Sequence, residues 1–439
     1  MAGSIKLWNH VVDYGPHRFF SSDPVVVRFW HNYMNNQYIK VTRKTRIYYR
    51  SKFFNYPLRP LNALWNLGLV RSFKAILSYI KSILWKRKED GSIQNWFINR
   101  FGYTLFEIFF KTYTEKLWGI PCNLIDSNWA AQRIQTLTLA SLIRSALTMN
   151  RGNKHKTLVD EFVYPCKGNQ QFYDQLSSSI EQFTKNQIRI NSKVKKVLVE
   201  NKKVIGVELI NGEVISAEWI VSSMPITSLI QGMNEVPSNI KKASSKLKFR
   251  NTILVYLHID SDNLFPDQWL YIHDSNVLHG RVTNFSNWSK EANPKDGTSV
   301  LCLEYWCFKE DEIWSKPENE LIEIAKREIY AVGLMKDSKV LAGRMIRIPN
   351  CYPIYERGYQ DNLSIVSRFL DEIVGLVPIG RYGSFKYNNQ DHSLLMGIIC
   401  AESISDGHKP NLWDINTDSK YQELGNINKL YVNKTNNLD

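Results

Sequence analysis

Between residues 59 and 88 apolar side chains return every three or four positions: Leu61, Leu64, Leu67, Val70, Phe73, Ile76, Ile80 and Ile83. That spacing predicts a helix. The helical pattern continues to about residue 148, interrupted at Gly102 and at Gly119-Ile120-Pro121, so residues 59–150 read as a mostly helical insertion. Elsewhere the period is two. Residues 4–14 alternate loosely up to Gly15-Pro16, a strand running into a turn. Residues 38–57 alternate basic with β-branched or aromatic residues and read as a hairpin. A strand over 155–164, a helix over 169–185 and three β-rich pieces follow (IRINSKVKKVLVE, KKVIGVELI and EVISAEWIVSS). Asn211-Gly212 between the last two is a strong hairpin signal. Residues 251–260, 269–273, 279–286 and 298–307 predict a further sheet, and 317–333 and 360–374 predict helices. Val377-Pro378-Ile379 reads as a short buried strand, and a last helix opens near Asp391 and runs to about Ser403. The tail after residue 415 is polar, and no internal repeat is present.

A chain of 439 residues with 44% hydrophobic and 22% charged residues is ordinary globular protein with room for two or three domains. This excludes disordered, collagenous and disulfide-stapled classes. No uncharged apolar run approaches the roughly 18 residues that span a bilayer. The start, MAGSIKLWNHVVDYG, lacks a basic region followed by an apolar core, so the default expectation is a cytoplasmic protein. The net charge of +14 favours an anionic partner without choosing one. Six cysteines are scattered with no CxxC, and we read them as reduced core thiols with no metal site. The helix over 69–88 carries Arg71, Lys74, Lys81, Lys86, Arg87 and Lys88. We read it as a solvated basic face on a packed helix; peripheral contact with an anionic membrane is the other occupant to weigh.

Several signatures are absent. No two glycines are separated by one residue, so the GxGxxG dinucleotide fingerprint is missing. Gly375 and Gly380 have phosphate-loop spacing, but Arg381-Tyr382 stands where Lys and Ser or Thr are required. HExxH, GxSxG and EF-hand patterns are also missing.

Two local patterns carry chemistry. In Asp13-Tyr14-Gly15-Pro16-His17-Arg18-Phe19-Phe20, Gly-Pro forces a tight turn and brings backbone close to whatever lies above it. His17 could donate to a ligand there, or serve as a structural turn residue. From Val377 to Ser393 the chain runs strand, glycine turn, polar loop and helix start. Such a helix start is either an anion site or an ordinary capped terminus.

Four motifs occur in order: YGPHRFF (14–20), YTEKLWG (113–119), GRVTNF (280–285) and GRYGSFKYNNQDHS (380–393). This order resembles the flavin-dependent amine-oxidase superfamily, and within it the UDP-galactopyranose mutase-like branch. Protoporphyrinogen-oxidase-like proteins share much of the layout. The stretch 187–226 is similar to that superfamily's adenine-side β-unit. The resemblance implies an α/β fold with a glutathione-reductase-like Rossmann core that binds FAD. That core would be interleaved from residues 1–37, 155–250 and 370–405, with the helical insertion at 59–150. A substrate-side mixed sheet would come from 38–57 and 251–350, and residues 415–439 would form a tail. The family opens with a GxGxxG βαβ unit, and Met1-Ala2-Gly3-Ser4 looks like the end of it. The expectation is therefore an N-terminally truncated core that binds FAD poorly unless the missing unit is supplied.

By the same resemblance, Gly15, Pro16 and His17 would lie against the flavin ring, and Val194 would contact the adenine. Gly380, Arg381, Asn389, Gln390, Asp391, His392 and Ser393 would cap the ribityl and pyrophosphate region. His17, Arg281, Arg381 and Tyr387 would be catalytic. Arg281, Arg381 and Tyr387 would clamp a substrate diphosphate, because guanidinium donates two parallel hydrogen bonds to phosphate. Tyr113 and Trp118 would wall the site. No metal or nucleic acid is implied. The implied substrate is an anionic small molecule such as a UDP-sugar. The mutase branch has an acidic residue where Asn389 stands, which leaves an oxidase or desaturase type of reaction open. A cofactor-free non-enzyme is the third reading.

Overall fold

The structure, a computed structural model, describes residues 2–128, 161–183, 186–294 and 296–416, apart from positions 57 and 59. The chain opens on a hairpin of β1 (Ser4–Leu7) and β2 (His10–Asp13). Trp8 and Asn9 turn it in left-handed backbone. Helix α1 (Pro24–Met34) starts under an Asp23 cap that accepts from the N–H groups of Val25 and Val26, with proline at its first position. Three strands follow, β3 (Tyr38–Thr42), β4 (Thr45–Tyr49) and β5 (Lys52–Asn55). They are not one hairpin. The chain breaks at Arg43-Lys44, and β3 pairs antiparallel with the distant β6 (Glu161–Pro165), while β4 and β5 pair with each other.

The helical insertion comprises α2 (Pro60–Leu67), α3 (Leu69–Leu84), α4 (Ile93–Phe101), α5 (Tyr103–Phe106), a π-helical turn at Glu107–Lys111, and α6 (Thr112–Trp118). The single helix expected over 59–88 is thus two, divided at Gly68, which sits at φ 79°. Gly119 closes α6 in left-handed backbone. The expected continuation to residue 148 and the strand expected from 155 fall on residues 129–160, outside those described.

After β6 come α7 (Gln170–Glu181), β7 (Val194–Glu200), β8 (Lys203–Leu209), β9 (Val214–Ser216) and β10 (Ile220–Ser222). The strand expected to begin at Ile188 begins at Val194. The Ile190 side chain is 80% exposed, with no sheet to cover it. Strands β7, β8 and β9 form an antiparallel meander. Two short helices, α8 (Ile226–Gln231) and α9 (Ser238–Ser244), lead into the main sheet.

That sheet has seven strands in the order β15-β11-β14-β13-β12-β4-β5. Its new members are β11 (Phe249–Ile259), β12 (Trp269–Ile272), β13 (Arg281–Asn284), β14 (Ser299–Cys307) and β15 (Val340–Pro353). Helices α10 (Glu312–Ser315) and α11 (Glu318–Ala331) precede β15, and α11 packs on β11 and β15. β14 is buried at all nine positions, which explains why its run is apolar apart from Ser299 and Glu304. The pattern did not reveal β15 because it is an edge strand, mostly half-buried, carrying Gly343, Arg344, Arg347 and Pro349. Beyond it lie α12 (Tyr359–Asp371), β16 (Leu376–Pro378), α13 (Gly380–Gly383) and α14 (Gln390–Ser405). β16 pairs in parallel with β10. The ranges expected to form the core, 1–37, 155–250 and 370–405, hold the β1–β2 hairpin, α1, β6, α7, the β7–β9 meander, α8, α9 and the parallel β10–β16 pair with α13 and α14. All six cysteines are free thiols, four of them buried.

Candidate active site

Strand β2 delivers the Gly-Pro-His turn to the middle of the molecule. Asp13, the last residue of β2, is fully buried and anchors it. Its carboxylate accepts hydrogen bonds from Ser4 Oγ (2.5 Å), Tyr164 Oη (2.8 Å), the Asn169 backbone N–H (3.2 Å) and Asn169 Nδ2 (2.6 Å). Burial pushes the Asp13 carboxyl up to about 6, and these four donors pull the other way. Asn169 Nδ2 also donates to the His17 carbonyl at 2.6 Å, so the anchor holds both ends of the turn. Gly15 lies between them at φ 101°, which a side chain would strain. A Cβ there would sit 3.8 Å from a Glu304 carboxylate oxygen, so the turn faces β14. His17 Nδ1 is buried with no hydrogen-bond partner among the described residues. Burial, reinforced by the positive charges of Arg281 and Arg381, holds the imidazole down at about 3, which leaves it neutral.

Opposite the turn stands a wall of charge and aromatic rings. Arg281 on β13 is held by Glu304 on the adjacent β14 through two parallel bonds of 2.5 Å, from Nε and Nη2. Glu304 is 2% exposed and Arg281 lies beside it, so each neutralises a charge the interior would reject. Gly280 makes the strand fit: a Cβ would fall 2.0 Å from the Trp306 ring. Arg281 Nη2 also approaches the Tyr352 hydroxyl at 3.5 Å. Arg381 enters from α13. It donates to the carbonyls of Cys351 (3.0 Å) and Asn388 (2.9 Å). Its guanidinium lies 4.6 Å from the Tyr352 ring and 4.2 Å from the Tyr387 ring, and those two rings stack at 5.4 Å. Arg281 thus has a carboxylate partner, whereas Arg381 has carbonyls and rings.

The YTEKLWG motif closes one side. Tyr113 makes an edge contact with Trp306 at 5.6 Å, touches Tyr271 and stacks on His273 at 5.1 Å. Burial raises the Tyr113 hydroxyl well above its ordinary value and lowers His273 to about 3. Both are therefore neutral. Trp118 is fully buried and meets Tyr387 at 6.1 Å from the core side. Lys116, between them in sequence, donates to the carbonyls of Asp274 (2.5 Å) and His279 (3.2 Å), which ties α6 to the loop after β12.

At the other side, the expected helix start is capped from within. The Asn389 side chain and His392 form a reciprocal box with the backbone, and Ser393 Oγ donates back to the Asn389 carbonyl. Asp391 places a buried carboxylate in the first turn, which already complements the helix dipole. Gln390 Nε2 reaches Asn169 Oδ1 at 3.5 Å, joining this terminus to the Asp13 anchor. Gly380, at φ 72°, leaves room where a side chain would stand, with only Ser223 Cβ at 4.0 Å. Ser222 Oγ, at the carboxyl end of β10, is buried without a hydrogen-bond partner among the described residues. Carboxyl ends of parallel strands are where α/β sheets take ligands. The open backbone at Gly15 and Gly380 and the unpartnered polar atoms of His17 and Ser222 are features that fit a flavin. The self-capped start of α14 is the poorer match for a pyrophosphate.

The fold therefore brings Gly15, His17, Tyr113, Arg281, Gly380, Arg381, Tyr387 and Gln390 around one region, with Trp118 behind it. Val194 stands apart: it opens β7 and pairs with Leu209 on another sheet. Sequence reasoning overlooked Asp13, Asn169, Glu304 and Tyr352. Glu304 did carry a signal, as the one charge within the buried run VLCLEYWCF, where an acid needs a partner.

The profile described as flavin containing amine oxidoreductase matches residues 2–339. Among solved structures, a reduced UDP-galactopyranose mutase superposes with a TM-score of 0.80 at 20% identity, over 92% of this chain and 86% of that one. A protein assigned as a protoporphyrinogen oxidase from Exiguobacterium sp. 255-15 gives 0.69 at 12% identity, over 92% and 90%. A putrescine oxidase variant gives 0.59 at 12% identity, again over 92% and 90%. Identities this low speak to the fold alone.

Proposed function

The chain belongs to the flavin-containing amine oxidoreductase family, and on that premise we propose that it is an FAD-dependent enzyme acting on an anionic sugar nucleotide such as a UDP-hexose. The observation that carries this reading is the charge balance of the wall. Two half-buried guanidiniums stand beside one carboxylate among the described residues, because Glu304 is committed to Arg281 while Arg381 meets carbonyls and rings. An interior with one surplus positive charge is completed by an anion.

A bound flavin supplies a ring that accepts and returns electrons. The rest is done by this chain. Gly15 lets backbone approach the ring. His17, held neutral, offers Nδ1 as a donor or acceptor according to its tautomer. Arg381 orients the anion, with Tyr352 and Tyr387 fixing the plane of its guanidinium. Tyr113, Tyr271 and Trp306 exclude water, which strengthens every charge contact inside.

Asn389 supports a second reading. It stands where the mutase-like branch has an acid, and its side chain is spent on the helix cap. An oxidase-type reaction would not need that acid. The test uses protein reconstituted with FAD. Arg381→Gln should weaken UDP binding roughly 10–150-fold, the cost of about 1.5–3 kcal/mol for a charged hydrogen bond, while flavin absorbance stays near normal. Unchanged UDP affinity removes the sugar-nucleotide assignment. Incubation with a UDP-hexofuranose then separates the readings: ring-size exchange by the reduced protein under anaerobic conditions means isomerase chemistry, and substrate-dependent oxygen uptake by the oxidised protein means oxidase chemistry.

A further inference from the structure

Helix α3 is inside out. The residues it turns toward the protein are small: Ala75 and Ser82 are buried, and Ser78 Oγ accepts from the Thr104 N–H of α5 at 3.1 Å. The backbones approach so closely that a Cβ on Gly102 would meet Tyr79 N at 2.7 Å. The apolar stripe points the other way. Leu69 is 91% exposed, Phe73 63%, and Ile76, Leu77, Ile80 and Leu84 are between 44% and 64%. Trp65 (86%) and Trp85 (70%) stand exposed just outside its two ends. A contiguous patch of this kind is rare on a monomer and marks an interaction surface. The solvated basic face expected from the sequence is therefore only the margin of an exposed apolar one.

Charge identifies the occupant. Residues 24–88 contain 14 Lys and Arg and no Asp or Glu, which equals the +14 of the entire chain. All the surplus charge is thus carried by the segment that contains α3. Lys74 and Lys81, seven residues apart, line one edge of the stripe, and Lys86, Arg87 and Lys88 follow its end. We propose that α3 lies in the surface of an anionic lipid bilayer, its apolar face among the acyl chains and its lysines at the headgroups. Tryptophans at the ends of the helix suit the membrane interface. A second copy of this chain would set positive charge against positive charge. Residues 129–160 carry five Lys and Arg against one Asp, so they do not complement it either. Among the described residues no helix is long and apolar enough to cross a membrane, so the contact is at the surface. This inference is independent of the assigned reaction.

Sedimentation with vesicles tests it. The protein should bind phosphatidylcholine vesicles containing about 30% phosphatidylserine, bind pure phosphatidylcholine weakly, and lose binding as salt rises. Phe73→Glu with Ile80→Glu should cut partitioning more than about tenfold without moving the melting temperature, since both side chains are exposed. Lys74→Gln with Lys81→Gln should cut it about fivefold per lysine on the anionic vesicles only. A thiol probe at Leu77→Cys should react rapidly in solution and be protected by anionic vesicles. Failure of the wild-type protein to bind, or equal binding to both vesicle types, overturns the proposal. So does a wild-type dimer that these glutamates dissociate, or a Leu77→Cys thiol that is unreactive without lipid because other parts of the chain cover it.

Discussion

Strand β14 and helix α3 are both apolar runs interrupted by charge, and they meet opposite fates. β14 buries all nine residues and takes Glu304 in with them. α3 buries two residues of sixteen and leaves its large apolar side chains in solvent. A charge enters the core when a partner of opposite sign enters with it, as Arg281 does. An apolar stripe stays out when smaller residues on the opposite face allow tighter backbone contact. Polarity sets the cost of each placement, and the neighbour decides whether that cost is met.

The harshest way to break this contrast is to strand the buried charge. Glu304→Ala should cost about 3–5 kcal/mol in denaturant unfolding, because Arg281 is left unpaired in the interior. Replacing both members by Met and Leu should restore much of that loss; equal loss in the double variant would mean the strand, not the charge, had failed. A milder attack falls on the tight side of α3. Gly102→Ala should cost about 1–3 kcal/mol, since the new Cβ meets Tyr79 backbone and φ is 80°. A melting temperature equal to that of the wild type would show that α3 does not pack by close backbone contact.

The smallest effect concerns pH. His273, buried and held at about 3, stays neutral in the fold but takes a proton in the unfolded chain below its ordinary 6.5. Its stabilisation is present above pH 6.5 and lost as pH falls toward 3, about 1 kcal/mol of it between about pH 7 and 5.5. His17 acts with the same sign. Asp13, raised to about 6, acts with the opposite one: its contribution is full below 3.8 and lost as pH rises through 6. Melting temperature against pH should therefore decline on the acid side, and His273→Gln should flatten that limb by about one proton. An unchanged slope in the variant would place the titration elsewhere.

Much of this arrangement is written locally. Gly15, Gly280 and Gly380 mark positions where a side chain would strain the backbone or strike a ring, and they flank the residues that form the wall. The apolar runs at 298–307, broken by Glu304, and at 251–260 predict central strands because burial on both faces leaves little reason for polarity. The alternation at 38–57 shows strands but not partners, since pairing of β3 with β6 and of β4 with β12 depends on chain more than one hundred residues away. Edge strand β15 leaves no such trace, having one covered face and a polar margin.

Local pattern was enough for the elements with strong periodicity and for the turn at Gly15-Pro16, while the arginines near it were marked by the order of motifs that resembles the family. Packing in three dimensions added that Glu304 answers Arg281 while Arg381 meets carbonyls and rings, and that Asp13 and Asn169 hold the turn. It also chose which side of α3 faces the protein. Periodicity is a property of neighbours three or four residues apart, and it specifies an apolar stripe without specifying what meets it. That depends on how closely a second backbone can approach, and Ala75, Ser78 and Ser82 opposite Gly102 let it approach from the polar side.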